Sequence, residues 1–560
     1  MNLPKPKKDE LMFLPLGGSG EIGMNLNLYG NAGKWLIVDC GVTFGDPVYG
    51  SVEVSMPDIA AIEGHKESIC GLLLTHAHED HVGAVHHLWP YLRCPVYATA
   101  FTAEVLIRKL KDVGLEKEVD IHIISIGSEI KIGPFDIEII SMSHSIIEPS
   151  AALISTSAGS VFHTGDWKID YNPQIGEGID NKRLQALGKE NILAMVCDST
   201  NVLVNGTSGS EEDVIEPLTK IIKECTGRVF ISTFASNVTR LNTLAKIGFS
   251  LGKKVALVGL SMWRMVEIAK KCGYLSDLPA FVSERDIKNV EKNNLMIICT
   301  GSQGEPRGAL NRIANGTHRD ATISNGDTVI FSSRVIPGNE VGISEMQNKL
   351  SELGANIIEA SKSNMIHVSG HPAREELAQM YSWVKPKTLI AVHGETRHIN
   401  EHVEYAKEHQ INFTLPGRNG SLIQLSPGDP RFIGELEHGR LIVDGNDLIT
   451  RNSDVLKKRH KMMFNGSVFA VLTVNMDFRL INEPSVMAEG FAEIIEEDDP
   501  EDFIKSFLKE DIKSYYKSKK FDKTYIKESM TNSLKRILKT QYSKRPLVRL
   551  ELNFIKQVKK

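Results

Sequence analysis

No apolar run in the chain approaches the roughly 18 residues that a membrane-spanning helix needs. The basic N-terminal stretch "MNLPKPKKDELMFLPLGG" is followed by no apolar segment long enough for a signal-peptide core. No membrane partner is therefore expected, and residence in the cytoplasm follows as the default. Cysteine is scarce and scattered as seven single residues with no C-x-x-C pair, which argues against a disulfide framework or a cysteine-based zinc knuckle. Most of these cysteines read as small core residues. Internal repeats are lacking, and no low-complexity segment is longer than the acidic block 491–503, "FAEIIEEDDPEDF". A large excess of one charge is missing too. The net charge of −5 speaks against indiscriminate nucleic-acid binding, although the balance is uneven along the chain. Residues 513–546 are rich in lysine with interleaved tyrosine, and read either as a basic face that approaches phosphates or as a solvated helix face.

What is present is a globular composition, 41% hydrophobic and 24% charged over 560 residues, which predicts two to four domains. From about 34 to 201 the pattern is short apolar runs that end in polar residues: "WLIVDCG", "GLLLTHAHEDH", "FDIEIISMSHS", "SVFHTGDWKID", "ILAMVCDSTN". These read as buried strands that deliver polar side chains at their C-terminal ends. Stretches of helical spacing lie between them, so an α/β or α+β layered domain is expected. From about 211 to 366 a regular strand–helix alternation predicts a second domain, a parallel sheet wrapped by helices. The segment "TLIAVHGETRHINEHVEYAKEHQ" then resumes the earlier style; if its strand returns to the first sheet, the second domain is an insertion. The C-terminal part reads as a small α+β domain.

The stretch "THAHEDHVG", residues 75–83, places three histidines and two carboxylates in six consecutive positions. Histidine nitrogen and carboxylate oxygen suit zinc and manganese. If His76 and His78 lie on a strand end, side-chain alternation puts both imidazoles on one face, able to grip one metal. Asp80 and His81 follow where the chain turns toward a helix and are placed to hold a second ion. His144, after "FDIEIIS", is the natural third ligand of the first metal. Asp166 in "FHTGDWKID" can bridge both, and His393 in "LIAVHGETRHI" completes the second. His163 reads as a packed residue. Asp39 in "IVDCG" is expected behind the ligands, orienting an imidazole.

Asp39, "HAHEDH", His144 and Asp166 resemble, in order and context, the metal-binding motif series of the metallo-β-lactamase superfamily. "CDSTN" with Asp198, "HVSGH" with His371 and "VHGE" with His393 resemble the further motifs of its β-CASP nucleases. With "GGSGEIGMN", "TFASN", "TGSQGEP" and "SSRVIPGNE", the chain is similar to the bacterial ribonuclease J family over essentially its whole length. The resemblance implies an α/β protein: a metallo-β-lactamase αββα sandwich (1–208 and 367–446), an inserted parallel-sheet β-CASP domain (209–366), a linker (447–465) and a small α+β C-terminal domain (466–560). It implies a two-metal ribonuclease, zinc first and manganese second, acting on single-stranded RNA with a 5′-monophosphate as a 5′-to-3′ exonuclease and as an endonuclease in RNA processing and decay. It also implies a homodimer or homotetramer, with the C-terminal domain as the oligomerisation element.

Two ions sharing a carboxylate and a water would lower that water's pKa enough to give hydroxide at neutral pH, the expected attacker of the phosphodiester. The resemblance makes Asp198 and His371 the candidates for acid and base assistance. In "HVSGHPAREEL" Pro372 suits the first turn of a helix, so free backbone N–H groups are expected to make an anion site at Ser369, Gly370 and His371. The resemblance carries substrate and 5′-phosphate binding to His367, Val368, Ser369, Gly370 and His371, and to Phe234, Ala235 and Ser236. "GGSGEIG" fits G-x-G-x-x-G, but a hairpin follows it, so it reads as a structural loop near the metals rather than a dinucleotide site. "TGSQGEP" reads as a tight turn beneath the cleft. Two departures from the family pattern stand out: Thr239 where a histidine is common, and Leu260 after the first glycine of "GLSMWRM", residues 259–265, where an arginine is often found. The competing readings are a metallohydrolase of small esters or thioesters, which the metal motif alone would permit, and an RNA-binding scaffold whose site has decayed. The second requires lost ligand positions, and all seven are present.

Overall fold

The computed structural model describes residues 3–46, 48–50, 52–336, 338–360, 365–493, 499–516 and 522–555. It divides into two compact units, one of Met1–Phe44 with Glu53–Leu441 and the other of Gly45–Val52 with Ile442–Lys560.

In the first unit two mixed sheets share one core. The eight-stranded sheet runs in the order Arg431–Glu435, Ser421–Ser426, Leu11–Gly17, Leu26–Asn31, Lys34–Val38, Ile69–Leu73, Val96–Ala98, Ile121–Ile123. The seven-stranded sheet runs Glu129–Ile132, Phe135–Ser141, Ser150–Thr156, Gly159–His163, Ala194–Asp198, Thr388–Val392, Phe413–Pro416. Phe13, Tyr29 and Leu36 from the first pack with Ile139, Ile154 and Val196 from the second, all buried. Each such side chain contributes about 1.5–3 kcal/mol relative to exposure. The outer face of the seven-stranded sheet is covered by helices Asn181–Leu187 and Arg374–Val384, whose Leu184, Leu377 and Met380 meet Phe162 and Met195. Helices Val85–Leu92 and Ala100–Asp112 lie on the eight-stranded side. The layers are helix, sheet, sheet, helix, as the αββα expectation requires.

The third sheet is five-stranded and parallel throughout, in the order Lys254–Val258, Leu295–Cys299, Val229–Ser232, Thr328–Phe331, Asn356–Glu359. The chain leaves the sandwich after Ala194–Asp198 and rejoins it at Thr388–Val392, the adjacent parallel strand, with Asp198 opposite Val392. The parallel-sheet domain is thus an insertion between neighbouring strands.

The second unit holds a three-stranded sheet in the order Ser485–Glu489, Ser467–Val474, Leu547–Phe554, with helices Pro500–Asp511 and Lys523–Tyr542 on one face. Burial of Ile526, Met530, Leu534 and Leu538 at four-residue spacing gives the long helix one apolar stripe and leaves Lys535, Arg536 and Lys539 exposed, so a solvated face is what the helix shows. Residues 494–498 of the acidic block and 517–521 of the basic segment lie outside the described residues. The expected linker is not structureless. Residues 447–465 carry strand Asp447–Thr450 and helix Asp454–Asn465, and the division between units falls at 441/442 rather than 446. Leu456 and Ile442, packed with Ile449 and Tyr49, supply a small core that holds them.

Candidate metal centre

The strand Ile69–Leu73 ends three residues before His76, earlier than the sequence suggests. The chain then runs to His78, still extended (φ −69°, ψ 152°), and turns into the short helix Glu79–Val82. Asp39, buried and with φ +64°, holds this turn: its carboxylate accepts the Thr75 N–H (2.8 Å) and hydroxyl (2.9 Å) and the His81 Nδ1–H (2.8 Å). Gly41 is required next to it, because a Cβ there would stand 1.7 Å from the Asp80 carbonyl oxygen. Asn25, at the end of "GGSGEIGMN", donates its backbone N–H (2.9 Å) and Nδ2 (3.1 Å) to that same carbonyl.

Five imidazoles are each turned by a partner on one nitrogen or by packing so that the other points inward. His76 Nδ1 lies 3.0 Å from Thr75 Oγ1, His144 Nδ1 donates to the Gly370 carbonyl (2.6 Å), His81 Nδ1 to Asp39, and His393 Nδ1 to Asp166 Oδ1 (2.7 Å). Such bonds set the tautomer and leave a lone pair for a metal. His76 Nε2, His78 Nδ1 and His144 Nε2 converge, the first and third at 3.1 and 3.0 Å from the second. Asp166 Oδ2 stands 3.8 Å from both His76 and His144. On its other side, Asp166 Oδ2 is 3.2 Å from His81 Nε2, and Asp80 Oδ2 is 3.6 Å from His81 Nε2 and 3.2 Å from His393 Nε2. Within each group of four the donor atoms lie within 4.8 Å of one another, as they do in a third, overlapping group of Asp166, Asp198, His371 and His393, and Asp166 is common to all three. Nitrogens around a tetrahedral zinc at its usual bond length stand about 3.3 Å apart, close to these spacings. Among the described residues buried His393 Nε2 makes no well-aligned hydrogen bond, although Asp80 Oδ2 is near, and a metal between them would satisfy it. The residues present therefore fit divalent ions of the zinc or manganese kind.

The electrostatics agree. Burial lowers His76 and His144 and takes His78 to about 4, so these three offer neutral nitrogens. Burial also pushes the Asp166 carboxyl up, but His393 and His81 outweigh it and hold it well below the usual carboxylate range. Burial opposes protonation of His81 and His393, yet Asp166 and its neighbouring carboxylates raise both well above the ordinary imidazole value. The buried carboxylates demand positive charge, supplied by protons when nothing else is bound.

Beside the two groups, His371 Nδ1 donates to Asp198 Oδ2 (2.8 Å), while Asp198 Oδ1 accepts the Thr200 N–H (2.8 Å) and hydroxyl (2.7 Å). Burial lowers His371, but Asp198 wins and sets it above its usual value. His163 is packed away, with Nδ1 2.8 Å from the Tyr29 hydroxyl. Phe234, Ala235 and Ser236 form the half-buried loop after Val229–Ser232, and Asn237 caps the following helix by accepting the Arg240 N–H. A narrow crevice runs from the start of this helix to His144, lined by His144, Lys168, Asn237, Thr239, Val368 and Ser369. Thr239, the first departure, is buried here, and Leu260, where an arginine is usual, is exposed. His367 lies behind the crevice, its Nδ1 3.5 Å from Arg240 Nη1, and burial followed by Arg240 lowers it to about 3.

The helix start expected beside the anion site at 369–371 needs correction. The helix is Arg374–Val384, starting two residues beyond Pro372, and its N-terminal donors are engaged. Ala373 N–H donates to Glu376 Oε2 (2.8 Å), Arg374 N–H to the Val204 carbonyl (3.0 Å) and Glu375 N–H to the Gly206 carbonyl (3.0 Å). The His371 N–H meets Ser369 Oγ (3.2 Å). The helix start therefore adds no free N–H groups to Ser369 and Gly370, and the His371 N–H is also engaged.

Three residues organise this region: Glu376, which sequence reasoning read only as favouring a helix start, and Asn201 and Arg334, which it passed over. Buried Glu376 accepts from Ile169 N–H (2.9 Å), Ser208 N–H (2.7 Å) and the Ser208 hydroxyl (2.7 Å) as well as Ala373. Asn201 donates to Ser369 Oγ (2.7 Å) and to the His371 carbonyl (3.0 Å), and Arg334 donates to Asn201 Oδ1 (2.6 Å). Both Asn201 and Arg334 lie in quoted motifs, "CDSTN" and "SSRVIPGNE"; their pairing across the chain was not readable.

Comparison with known proteins places these features. Family models match in chain order: "Beta-lactamase superfamily domain" over 34–185, "Ribonuclease J, beta-CASP domain" over 226–350, "Zn-dependent metallo-hydrolase RNA specificity domain" over 357–416 and "Ribonuclease J C-terminal domain" over 454–550. A Ribonuclease J of Sinorhizobium meliloti is 41% identical over 545 residues, 96% of each chain. Ribonuclease J 1 of Streptococcus pyogenes serotype M3 is 34% identical over 491 residues, 87% of each chain. A solved structure of a protein of unknown function from Enterococcus faecalis V583 aligns with a TM-score of 0.52 at 15% identity, covering 74% of this chain and 100% of that one, a likeness of fold alone.

Proposed function

Because this chain belongs to the ribonuclease J family of metal-dependent nucleases, we propose that it hydrolyses RNA with two divalent ions, zinc or manganese. It degrades single strands bearing a 5′-monophosphate from 5′ to 3′ and also cuts internally. The observation that carries the two-ion reading is the place of Asp166, whose carboxylate is shared by two donor groups that otherwise have no ligand in common. His76, His78 and His144 would hold one ion, Asp80, His81 and His393 the other. Bound there, the ions supply Lewis acidity that acidifies water and polarises a phosphodiester oxygen.

The chain's own groups do the rest. Asp39, Thr75 and Gly370 fix the imidazole tautomers, so the lone pairs are in place before substrate arrives. With Nδ1 committed to Asp198, His371 has Nε2 left to pass a proton to the departing 3′-oxygen, giving 5′-phosphate and 3′-hydroxyl products. The 5′-terminal nucleotide is received beside Ser369 and His371, at the mouth of the crevice that Asn237 and Thr239 of the inserted domain help to line. A small-ester hydrolase would have no use for an inserted domain whose loops reach this crevice.

No helix among the described residues is long and apolar enough to cross a membrane, and the enzyme acts in the cytoplasm. The second unit pairs copies into a homodimer or homotetramer, which the exposed Phe469, Val471 and Met487 on its sheet support.

The test is a time course with manganese or zinc on one RNA bearing a 5′-monophosphate, 5′-triphosphate or 5′-hydroxyl, beside His76→Ala. Mononucleotide release from the monophosphate strand alone, absent in the variant, is expected. Equal internal cutting of all three would reduce the reading to an endonuclease. No cleavage by protein that holds two metals would refute it.

A further inference from the structure

Arg334 follows the strand Thr328–Phe331 at the carboxyl edge of the inserted parallel sheet, the edge where such sheets bind ligands. The neighbouring strand Val229–Ser232 delivers the 234–236 loop to the same edge. Gln303, 5% exposed, fixes the Arg334 loop by donating to the Arg334 carbonyl (2.8 Å) and accepting the Ile336 N–H (2.8 Å). The side chain is exposed, but it is not loose. Its Nη1 donates to Asn201 Oδ1 at 2.6 Å, and Asn201, 2% exposed, has its amide orientation fixed by donation to Ser369 and His371.

The unusual feature is the choice of partner. Arg183, Arg228 and Arg240 meet Glu138, Asp327 and Glu211 at 2.6, 2.7 and 2.6 Å. Arg334 is held by a neutral amide, and among the described residues no carboxylate pairs with it. An amide orients a guanidinium without cancelling its charge, so most of the planar fork remains available to a phosphate. A structural tie between domains would be served as well by an acid.

We propose that Arg334 binds a backbone phosphate of the RNA close to the cleaved bond, and that Asn201 is the positioning residue that links this contact to His371. The proposal rests on the reading of the protein as a ribonuclease. When a strand lies in the cleft, the inserted domain thereby grips it at a point one side-chain amide away from the acid–base pair. Docking of the strand and placement of His371 become one event.

Two measurements on the full chain separate the ideas. Binding is followed by anisotropy on an unstructured phosphorothioate RNA, bearing a 5′-monophosphate or a 5′-hydroxyl, across a range of salt. Single-turnover cleavage of the normal strand, with enzyme in excess, gives a maximal rate. Arg334→Ala is expected to weaken binding of both strands roughly tenfold and to make the log affinity against log salt slope shallower by about 0.7, the share of one single-strand phosphate. Arg334→Lys keeps the slope. Asn201→Ala leaves the slope near wild type and lowers the maximal rate roughly tenfold. A folded Arg334→Ala protein with an unchanged salt slope overturns the phosphate contact, whatever its rate. Loss confined to the 5′-monophosphate strand overturns the backbone assignment. An undiminished rate in Asn201→Ala overturns the link to His371. Failure of the wild type to cleave, with binding intact, would refute the ribonuclease reading while the salt slope still judges Arg334.

Discussion

Glu376→Gln should loosen three distant segments at once. The buried carboxylate accepts four hydrogen bonds: Oε1 from Ile169 N–H and the Ser208 hydroxyl, Oε2 from Ser208 N–H and Ala373 N–H. Ile169 follows the Asp166 loop, Ser208 precedes the inserted domain and Ala373 follows it. An amide keeps the shape but turns one acceptor into a donor. If its NH₂ faces the Oε1 side, the serine hydroxyl can rotate to accept, but the Ile169 N–H is stranded. If it faces the Oε2 side, two backbone N–H groups are stranded. The milder orientation loses one charge-assisted bond and orphans one buried donor, about 2 kcal/mol or more. That corresponds to roughly 30-fold faster amide exchange wherever opening is local. Hydrogen exchange followed by mass spectrometry on peptides spanning 167–172, 204–210 and 371–376 reads this directly, with the second unit as internal control. A folded variant whose three peptides exchange as in wild type would refute the reasoning, since the carboxylate would then not be holding them.

Asp166→Asn, which removes the charge shared by both donor groups, should abolish activity and leave fewer than two metals per chain by elemental analysis. Asp39→Ala should cost about 10–100-fold in metal affinity, measured by chelator competition, because His81 Nδ1 loses its acceptor. His371→Ala should cut the single-turnover rate by about 100-fold or more with metal content unchanged; loss of metal instead would make His371 a ligand. His163 and His402 are buried and held to about 4 by burial, against an ordinary value near 6.5. The unfolded chain therefore binds more protons between those values, and stability should fall as pH drops from about 6.5 to about 4, by up to about 3 kcal/mol per histidine. Thermal unfolding of His402→Gln should show a flatter acid limb than wild type.

Much of the centre was legible because its donors are either adjacent in sequence or end an apolar run. "HAHEDH" announces itself, and His144, Asp166, Asp198 and His393 each follow a hydrophobic stretch. The layered fold was legible for the same reason, and the insertion followed once strand Thr388–Val392 was seen beside Ala194–Asp198. The start of helix Arg374–Val384 was misread because Pro-Ala-Arg-Glu-Glu looks locally like a first turn. What decides the start is Glu376 reaching back to Ala373 while Val204 and Gly206 take the next two N–H groups. Those partners are remote in sequence, so no local pattern reveals them. Asn201 and Arg334 escaped for a related cause: each is an ordinary polar residue until the other is placed beside it. The 447–465 stretch looked like a linker because its core is only a few side chains.

The ladder that joins Ala194–Asp198 to Thr388–Val392 has a further consequence. The chain departs on one rung and returns on the next, so the excursion between them is a cartridge whose two ends are already neighbours. The seven metal-ligand candidates all belong to the frame that receives it. Exchanging the cartridge would alter what is gripped and how it is presented while leaving the cutting edge in place. A short loop from 208 to 367, which keeps helix Arg374–Val384 and the Gly370 carbonyl in the frame, should yield a frame that still gathers its ions and has lost its grip on the strand.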